Sequence, residues 1–548
     1  MKISFKRMIY LLLVAALLLP TFGMTACKKD DQKDDEPALT VSKPLYATGE
    51  EIVVTANGDD DDWVGIYRDK DDVGAVDPIA RYSVHSNGYL SGLSYIVQRS
   101  AKFSDSRSAF RNFPAVKYKV VLFGSEGTKN VLSTVHFEVS SDALKAPVAP
   151  AQMTYTQSCP GTGLADGELK VEFDPNTFNA SELVLYWADD NGPLSDWTAL
   201  ATAKVSSNPF VYRFVSGTII PPGATALWAY AKNKLGTSEA HCTLKLPEGA
   251  AYRLTGEILS RFQVVSDIHI AIADTHLASS DAKELHAAHL LMMARDIVSV
   301  CPDSQALIAV GDIANSGRDY EWQKAADILA SVSGLPPIYY AIGNHDLYLG
   351  SYNTQIGYFY KYAGVRSVYY EKEIGGFHHI FLGSESNNKS GVDADLSDAQ
   401  LNWLEERLRA LRTEDRDKPV FVYLHQSLYN TVSGSLKGQN WNGVMQEERL
   451  RSILQNYPQV YLFNGHSHWH MNSYGNHHAP SDDGLPNIFN TASVGYLWSS
   501  DDNPDGEYLR GSQGYYVWVY SGKVLVFGRD YKTGKYIPSA CYEATNGN

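Results

Sequence analysis

The rhythm of hydrophobic and polar positions changes several times along this chain. Ile9–Leu19 is an almost unbroken apolar run behind the basic residues Lys2, Lys6 and Arg7, and Pro20 ends it. A run this short after a basic start has the layout of a signal peptide rather than of a membrane span. Lys28–Glu36 then contains no apolar residue and reads as a solvated tether. From Leu39 to Ser140 the apolar positions fall in short β-rich runs at Glu51–Ala56, Trp63–Arg68, Val116–Phe123 and Val131–Val139, separated by turn clusters at Gly58–Asp62 and Gly124–Lys129. The acidic residues of the first cluster read as a solvated turn. Ala146–Pro150 is a proline-interrupted linker. A second β-rich block follows, with runs at Gly167–Phe173, Leu183–Trp187, Val211–Val215, Ala226–Ala231 and Cys242–Leu246.

After Gly249 the pattern becomes mixed. Phe262–Ser266 is a short apolar strand, and Ser280 caps a helix to about Val300 whose stripe is Leu290, Leu291, Ala294, Ile297 and Val298. Strands are predicted at Ala306–Val310, Ile338–Ile342, His378–Leu382, Val420–Leu424 and Val460–Phe463, with helices at Tyr320–Val332, Ser397–Leu411 and Glu447–Gln455. Strands alternating with helices imply a layered α/β domain, and Gly514–Tyr520 with Lys523–Asp530 closes it as a hairpin. The expected organisation is a leader over 1–27, a tether over 28–38, one all-β sandwich over 39–145, a second over 146–250 and the α/β domain over 251–540. The second sandwich is similar to immunoglobulin-like or fibronectin-type modules.

A chain of 548 residues accommodates three or four domains. Its 47 basic against 62 acidic side chains leave a net charge of −15. That balance disfavours duplex nucleic acid as a partner, while a bound metal would still permit a small phosphorylated substrate. Met24-Thr25-Ala26-Cys27 resembles a bacterial lipobox, which implies cleavage before Cys27 and acylation of its thiol. The charged run after it is similar to the signal that places some lipoproteins on the outer surface of Gram-negative bacteria. The expected location is therefore exported, with a lipid anchor in the outer membrane or at the cell surface and no other membrane contact. Cys159, Cys242, Cys301 and Cys541 remain; an oxidising compartment permits pairing, Cys159 and Cys242 are placed to clamp the second block, and sequence leaves the choice open.

Chemistry gathers where the α/β strands end. The first runs into Asp267-Ile268-His269, the second into Gly311-Asp312 with Gly317 beyond, and the third into Gly343-Asn344-His345-Asp346. The fourth ends at His425, and the fifth is followed by Asn464-Gly465-His466-Ser467-His468. The carboxyl ends of strands are where α/β sheets bind ligands. Asp267, His269, Asp312, Asn344, His425, His466 and His468 offer carboxylates, imidazoles and one amide oxygen without a thiolate. Such a set suits two divalent ions, Mn, Fe, Zn or Co. Two ions about 3.5–4 Å apart serve phosphate ester hydrolysis.

DxH, GDxxxxG, GNHD, a histidine after a strand and GHxH, in this order over roughly Leu254–Asp530, resemble the calcineurin-like metallophosphoesterase superfamily. The resemblance implies a dinuclear centre in an α/β-β/α sandwich, with Asp267, His269, Asp312 and His468 on one metal and Asp312, Asn344, His425 and His466 on the other. It further implies His345 as the proton donor at the scissile phosphate, Asp346 behind it as its orienting partner, and in-line attack of a hydroxide held between the metals. The sequence departs from purple acid phosphatases, with Asn315 where they carry a ligand tyrosine and Asp346 where they carry glutamate. Ser427 replaces a proline common two residues after the lone histidine.

The function these features imply is an exported phosphoesterase acting on a phosphomonoester or phosphodiester of modest size. Two readings compete: a surface protein whose sandwiches bind glycan or protein beside a vestigial hydrolase domain, and a hydrolase of a nucleotide phosphoanhydride. Outside the motifs, His286 and His289 read as helix-surface or packed residues, His378 and His379 as strand residues, and His470, His477 and His478 as an exposed loop. The aromatic stretch Leu347–Tyr362 is either pocket wall or packing. Asn430–Gly443, with Trp441, and Tyr496–Arg510 are loops placed to shape specificity, and Arg510 is a candidate contact for a second anionic group.

Overall fold

The computed structural model describes residues 39–41, 44–47, 54–56, 62–83, 94–95, 115–124, 127–140, 146–157, 161–174, 177–205, 207–233, 235–271, 280–387, 392–480, 483–499 and 507–546. The expected leader, the lipidated Cys27, the charged tether and Cys159 lie outside these residues. Cys242, Cys301 and Cys541 are free thiols. Among the described residues no helix is long and apolar enough to cross a membrane.

The chain divides into two compact units, one of residues 1–148 with 175–181 and 231–239, the other of 149–174, 182–230 and 240–548. In the first, a five-stranded sheet runs in the order Leu45–Ala47, Val131–Ser140, Lys117–Phe123, Trp63–Arg68, Ala80–Ser83, and a three-stranded sheet joins Leu39–Val41, Val54–Ala56 and Ser94–Tyr95. Alternating residues of these strands, among them Tyr46, Val54, Val64, Ile66, Tyr118, Val120 and Phe137, form one buried core. This region is β-rich, as its period-two pattern predicts.

The second unit holds the remaining β-rich block and the α/β region. An eight-stranded sheet runs Leu164–Ala165, Thr218–Ile219, Lys535–Ala544, Lys523–Asp530, Gln513–Tyr520, Ile258–Val265, Ala306–Val310, Ile338–Ala341. Its last three strands are parallel. A six-stranded sheet contains the parallel run Phe377–Phe381, Val420–Tyr423, Val460–Asn464, Asn487–Asn490. The central parallel strands ALIAV and VYLFN are buried along their whole length, as strands covered on both faces must be.

Three cores define the layers. Helices α1 (Ser280–Val300), α2 (Asp319–Ala330) and α3 (Tyr352–Ala363) cover the first sheet through Leu290, Ile297, Trp322 and Phe359. Phe262, Ile308, Phe421, Phe463 and Val517 pack between the sheets. Helices α4 (Asp398–Glu414) and α5 (Glu447–Leu454) cover the second sheet through Leu401, Leu404, Leu408, Leu450 and Ile453. The order is helix, sheet, sheet, helix.

Two features differ from the sequence pattern. Leu347–Tyr362 contains a helix, α3, capped by Ser351, whose hydroxyl accepts from Thr354 N, and closed by left-handed Gly364. Phe359 is core, and Tyr362 stacks on Trp322 at 5.7 Å. The eight-stranded sheet also takes strands from both sides of residue 250: Thr218 pairs with Tyr542, Tyr536 N donates to Asp196 O, and Tyr252 hydrogen-bonds Glu543.

His379 sits between the two sheets, fully buried, 4.9 Å from the Phe262 ring, with Nδ1 on Tyr423 Oη at 2.8 Å. Burial, with the charge of His378 adding to it, pushes its pKa down to about 3. The unfolded chain takes up this proton near pH 6.5 while the folded chain refuses it, so the contribution is complete above pH 6.5 and is lost as pH falls toward 3. The loss is about 1.4 kcal/mol per pH unit in that window. Urea midpoints measured at pH 6.5 and 4.5 are expected to fall less in His379→Phe than in the native chain; equal falls would refute the assignment.

Candidate metal centre

The strand ends bring all seven expected ligands to one place. Asp267 and His269 follow Ile258–Val265, Asp312 follows Ala306–Val310, Asn344 follows Ile338–Ala341, His425 follows Val420–Tyr423, and His466 and His468 follow Val460–Asn464. The turns are tight enough to force unusual backbone. Asp267, His269, Asp312, His466 and His468 all have positive φ, between 51° and 71°. Asp and His tolerate this region better than most residues, and such conformations cluster at functional sites. A side chain at Gly343 would run into Asp312 Oδ1, and one at Gly465 into Ser266 Oγ. Here glycine is required by close approach rather than by flexibility.

Ligand atoms of Asp267, His269, Asp312 and His468 lie within 4.8 Å of one another, all buried. His468 Nε2 is 3.0 Å from Asp267 Oδ1, and His269 Nε2 is 3.5 Å from Asp312 Oδ2. Asp312 Oδ2 is also 3.1 Å from His425 Nε2, so this carboxylate faces both halves of the cluster. In the second half, His466 Nδ1 lies 2.9 Å from Asn344 Oδ1.

Outer hydrogen bonds fix which ring atom points inward. His425 Nδ1 is 2.7 Å from Val310 O, His468 Nδ1 is 3.1 Å from Tyr496 O, and His269 Nδ1 is 3.2 Å from Asn315 Oδ1. Each of these oxygens only accepts, so each Nδ1 carries a hydrogen and each ring turns its Nε2 into the cluster. His269 Nε2 and His468 Nε2 consequently meet at 3.0 Å, two lone-pair donors facing one space. Asp267 Oδ1 and His425 Nε2 are fully buried and meet only other groups of the cluster, His468 Nε2 at 3.0 Å and Asp312 Oδ2 at 3.1 Å. Buried carboxylates and imidazoles converging in this way fit a pair of divalent cations, since oxygen with imidazole ligands is the expected chemistry for them.

The protonation pattern agrees. Burial opposes the charge on Asp267 and Asp312, but the histidines outweigh it, His468 and His425 at Asp267 and His425 and His345 at Asp312, and both carboxyls are held well below the usual range. Burial lowers His269 to about 4 and His466 to about 3. Burial also opposes charge on His425, yet Asp312 and Asp267 lift it to about 10. A metal would displace the proton that the two carboxylates hold on His425.

His345 is beside the cluster and not in it. Its ring centroid is 4.6 Å from that of His269, its backbone N–H donates to Asp312 Oδ1 at 2.7 Å, and its Nδ1 is 2.8 Å from Asn315 O. Nε2 is left as the working end. Asp346 departs from its expected position behind His345. Its Oδ2 accepts from the N–H groups of Asp312 and Gly343, and its Oδ1 from those of Ile313 and Ala314, all at 2.9–3.0 Å. The carboxylate is a clamp on two ligand loops, and the Asn315 carbonyl holds His345 instead. Burial and the Asp312 charge push the Asp346 pKa up, and those N–H groups pull it back down.

Other residues around the cluster belong to no motif. His286 is buried, with Nδ1 2.8 Å from His269 O, and stacks on Tyr496; His289 Nδ1 is 2.8 Å from Gly495 O. Ser493 Oγ donates to Asp267 O. The spacing of His286 and His289 on one helix face is the one signal that marked them. His477, expected in an exposed loop, is buried and stacks on Phe489 at 4.4 Å. Arg510 is exposed.

The family comparison agrees with the geometry. Residues 260–470 match the family model for calcineurin-like phosphoesterases. Glycerophosphodiester phosphodiesterase GpdQ of Enterobacter lignolyticus (strain SCF1) is 27% identical over 213 residues, covering 36% of this chain and 69% of that protein. Among solved structures, a purple acid phosphatase from yellow lupin seeds aligns at 13% identity and TM-score 0.39, covering 93% of this chain and 96% of its own. The calcineurin-like phosphoesterase YfkN from Bacillus subtilis aligns at 13% identity and TM-score 0.28, covering 53% and 90%.

Proposed function

We propose that this chain, which carries a calcineurin-like phosphoesterase domain, is a metal-dependent phosphodiesterase acting on small organic diesters. One observation carries the reading: three Nε2 atoms and two carboxylates converge in a buried space, and the His345 imidazole stands next to it. The first ion would be held by Asp267, His269, Asp312 and His468, the second by Asp312, Asn344, His425 and His466. Bound there, two divalent ions supply Lewis acidity toward phosphoryl oxygens and acidify water.

The protein groups do the rest. Asp312 ties the two halves together and positions the His345 main chain. With Nδ1–H committed to Asn315 O, His345 presents Nε2 to the leaving oxygen and protonates it. Tyr348 stacks on His345 at 5.2 Å and limits its rotation. In favour of a diester stands the name of the relative, a glycerophosphodiester phosphodiesterase. Nothing in the cluster itself favours a phosphoanhydride or a monoester. The leader, the lipobox cysteine and the charged tether support export and lipid anchorage, with the β-rich region, in our reading two immunoglobulin-like or fibronectin-like modules, spacing the catalytic domain from the membrane.

The test is turnover of bis-p-nitrophenyl phosphate, p-nitrophenyl phosphate and a nucleotide panel by protein lacking residues 1–27, before and after metal removal and manganese addition. Diester hydrolysis is expected to vanish on chelation and return with metal. His345→Ala is expected to lower kcat by about 10²–10⁴-fold with metal content unchanged. Hydrolysis confined to nucleotides would move the reading to anhydrides. Absence of both turnover and bound metal would refute it.

A further inference from the structure

Two aromatic side chains beside the cluster remain open to solvent. Tyr348, on His345, is 41% exposed, and Trp441, whose ring centroid is 6.1 Å from that of His466, is likewise 41% exposed. Trp441 is held in place from two directions. Behind it stand Trp469, 2% exposed, at 5.9 Å, and Trp498 at 6.4 Å, inclined to it by 60° and 47°. Its backbone N–H donates to Gly434 O at 2.9 Å, and Gly434 N donates to Gln439 Oε1 at 2.7 Å. Gly434 leans on the turn that carries the histidines, since a Cβ there would strike Ser467. Thr431 Oγ1 to Leu428 O and Gly443 N to Ser427 O anchor the loop at both ends.

A rigid loop that spends this many contacts to present an indole to solvent next to a reactive cluster has built a wall for something. An indole face offers area and a π-system with little directional hydrogen bonding, so it selects flat, weakly polar groups. A phosphodiester has two organic substituents. The leaving one belongs beside His345, where Tyr348 stands, which leaves the other for Trp441.

We infer that Trp441 is a specificity-determining residue, whose indole receives the non-leaving substituent of a phosphodiester and selects a flat, aromatic group there. The inference rests on the phosphodiesterase reading above. It is tested with two esters that share a leaving group, bis-p-nitrophenyl phosphate and ethyl p-nitrophenyl phosphate, and the metal-loaded protein. In both, a water oxygen bonds to phosphorus and the bond to the p-nitrophenyl oxygen breaks; that oxygen keeps the electron pair and takes its proton from His345, which regains one as the attacking water gives up its own. Only the retained group differs.

Trp441→Ala is expected to lower the aryl-to-ethyl ratio of kcat/KM at least about tenfold, through KM for the aryl ester. Trp441→Phe is expected to keep the ratio within about threefold of native, since it retains a flat ring. A ratio unchanged in Trp441→Ala, or equally lost in Trp441→Phe, overturns the inference and leaves the hydrolase reading standing. Hydrolysis of neither ester by the native metal-loaded protein overturns both.

Discussion

Asp312→Ala is expected to abolish hydrolysis, lowering kcat/KM by more than about 10³-fold, and to leave the purified chain with fewer than two metals. Asp312 Oδ2 stands 3.5 Å from His269 Nε2 and 3.1 Å from His425 Nε2, so it is shared by both ligand sets. Its other oxygen accepts the His345 N–H at 2.7 Å. On the proposed reading one truncation therefore removes a ligand from each metal and the anchor of the His345 main chain. Asp312→Asn tests the charge separately: the amide keeps the volume but gives up the anion that offsets His425, whose pKa Asp312 and Asp267 lift to about 10. Both variants are expected to bind less metal by elemental analysis, and both are expected to lose turnover even with manganese in excess. Near-native turnover with two metals bound would remove Asp312 from the centre. The β-rich first unit, which contains none of these residues, serves as the folding control.

The clustering of the seven candidate residues was legible because each follows a buried strand within a few residues. The apolar run fixes where the strand ends, and the polar residue just past it has nowhere to go but the sheet's carboxyl edge. The same logic located α1, α2, α4 and α5, whose apolar stripes repeat at helical spacing. It failed on α3, where Tyr352, Tyr358, Phe359, Tyr360 and Tyr362 give aromatic density without a clean stripe, and the Ser351 cap was the overlooked sign. It also could not see Leu164–Ala165 and Thr218–Ile219, which join the long sheet as two-residue strands too short to carry a period. Residue roles were harder than residue identities. His477 looked like part of a polar loop, yet its ring is flat enough to stack on Phe489, 2° from parallel, and Asn487 satisfies Nε2 at 2.9 Å. Asn315 read as a departure from one branch of the superfamily; in space its side chain holds His269 and its carbonyl holds His345, a link that depends on a turn, not on a spacing.

Asp346 is where motif and geometry part most clearly, and it gives the second large effect. If it worked by orienting His345, Asp346→Ala would behave like His345→Ala, slow but equally stable and fully loaded with metal. Its contacts assign it different work, because its two oxygens accept four backbone N–H groups from Asp312, Ile313, Ala314 and Gly343. It has no exposed surface, so water cannot replace it. Deleting it leaves four buried donors unsatisfied, and a cost of about 3–5 kcal/mol is expected, comparable to breaking a buried ion pair. That is a large part of the roughly 5–15 kcal/mol that typically separates folded from unfolded states. Asp346→Asn does not rescue it, because the amide NH₂ would face two N–H donors that need an acceptor. The freed loops carry Asp312 and Asn344, so metal affinity should fall together with stability. Thermal melting, metal titration and kcat in Asp346→Ala and His345→Ala separate the two roles. A drop in all three for Asp346→Ala, beside a drop in kcat alone for His345→Ala, is the expected pattern. Matching profiles in the two variants would return Asp346 to the orienting role and sink the clamp.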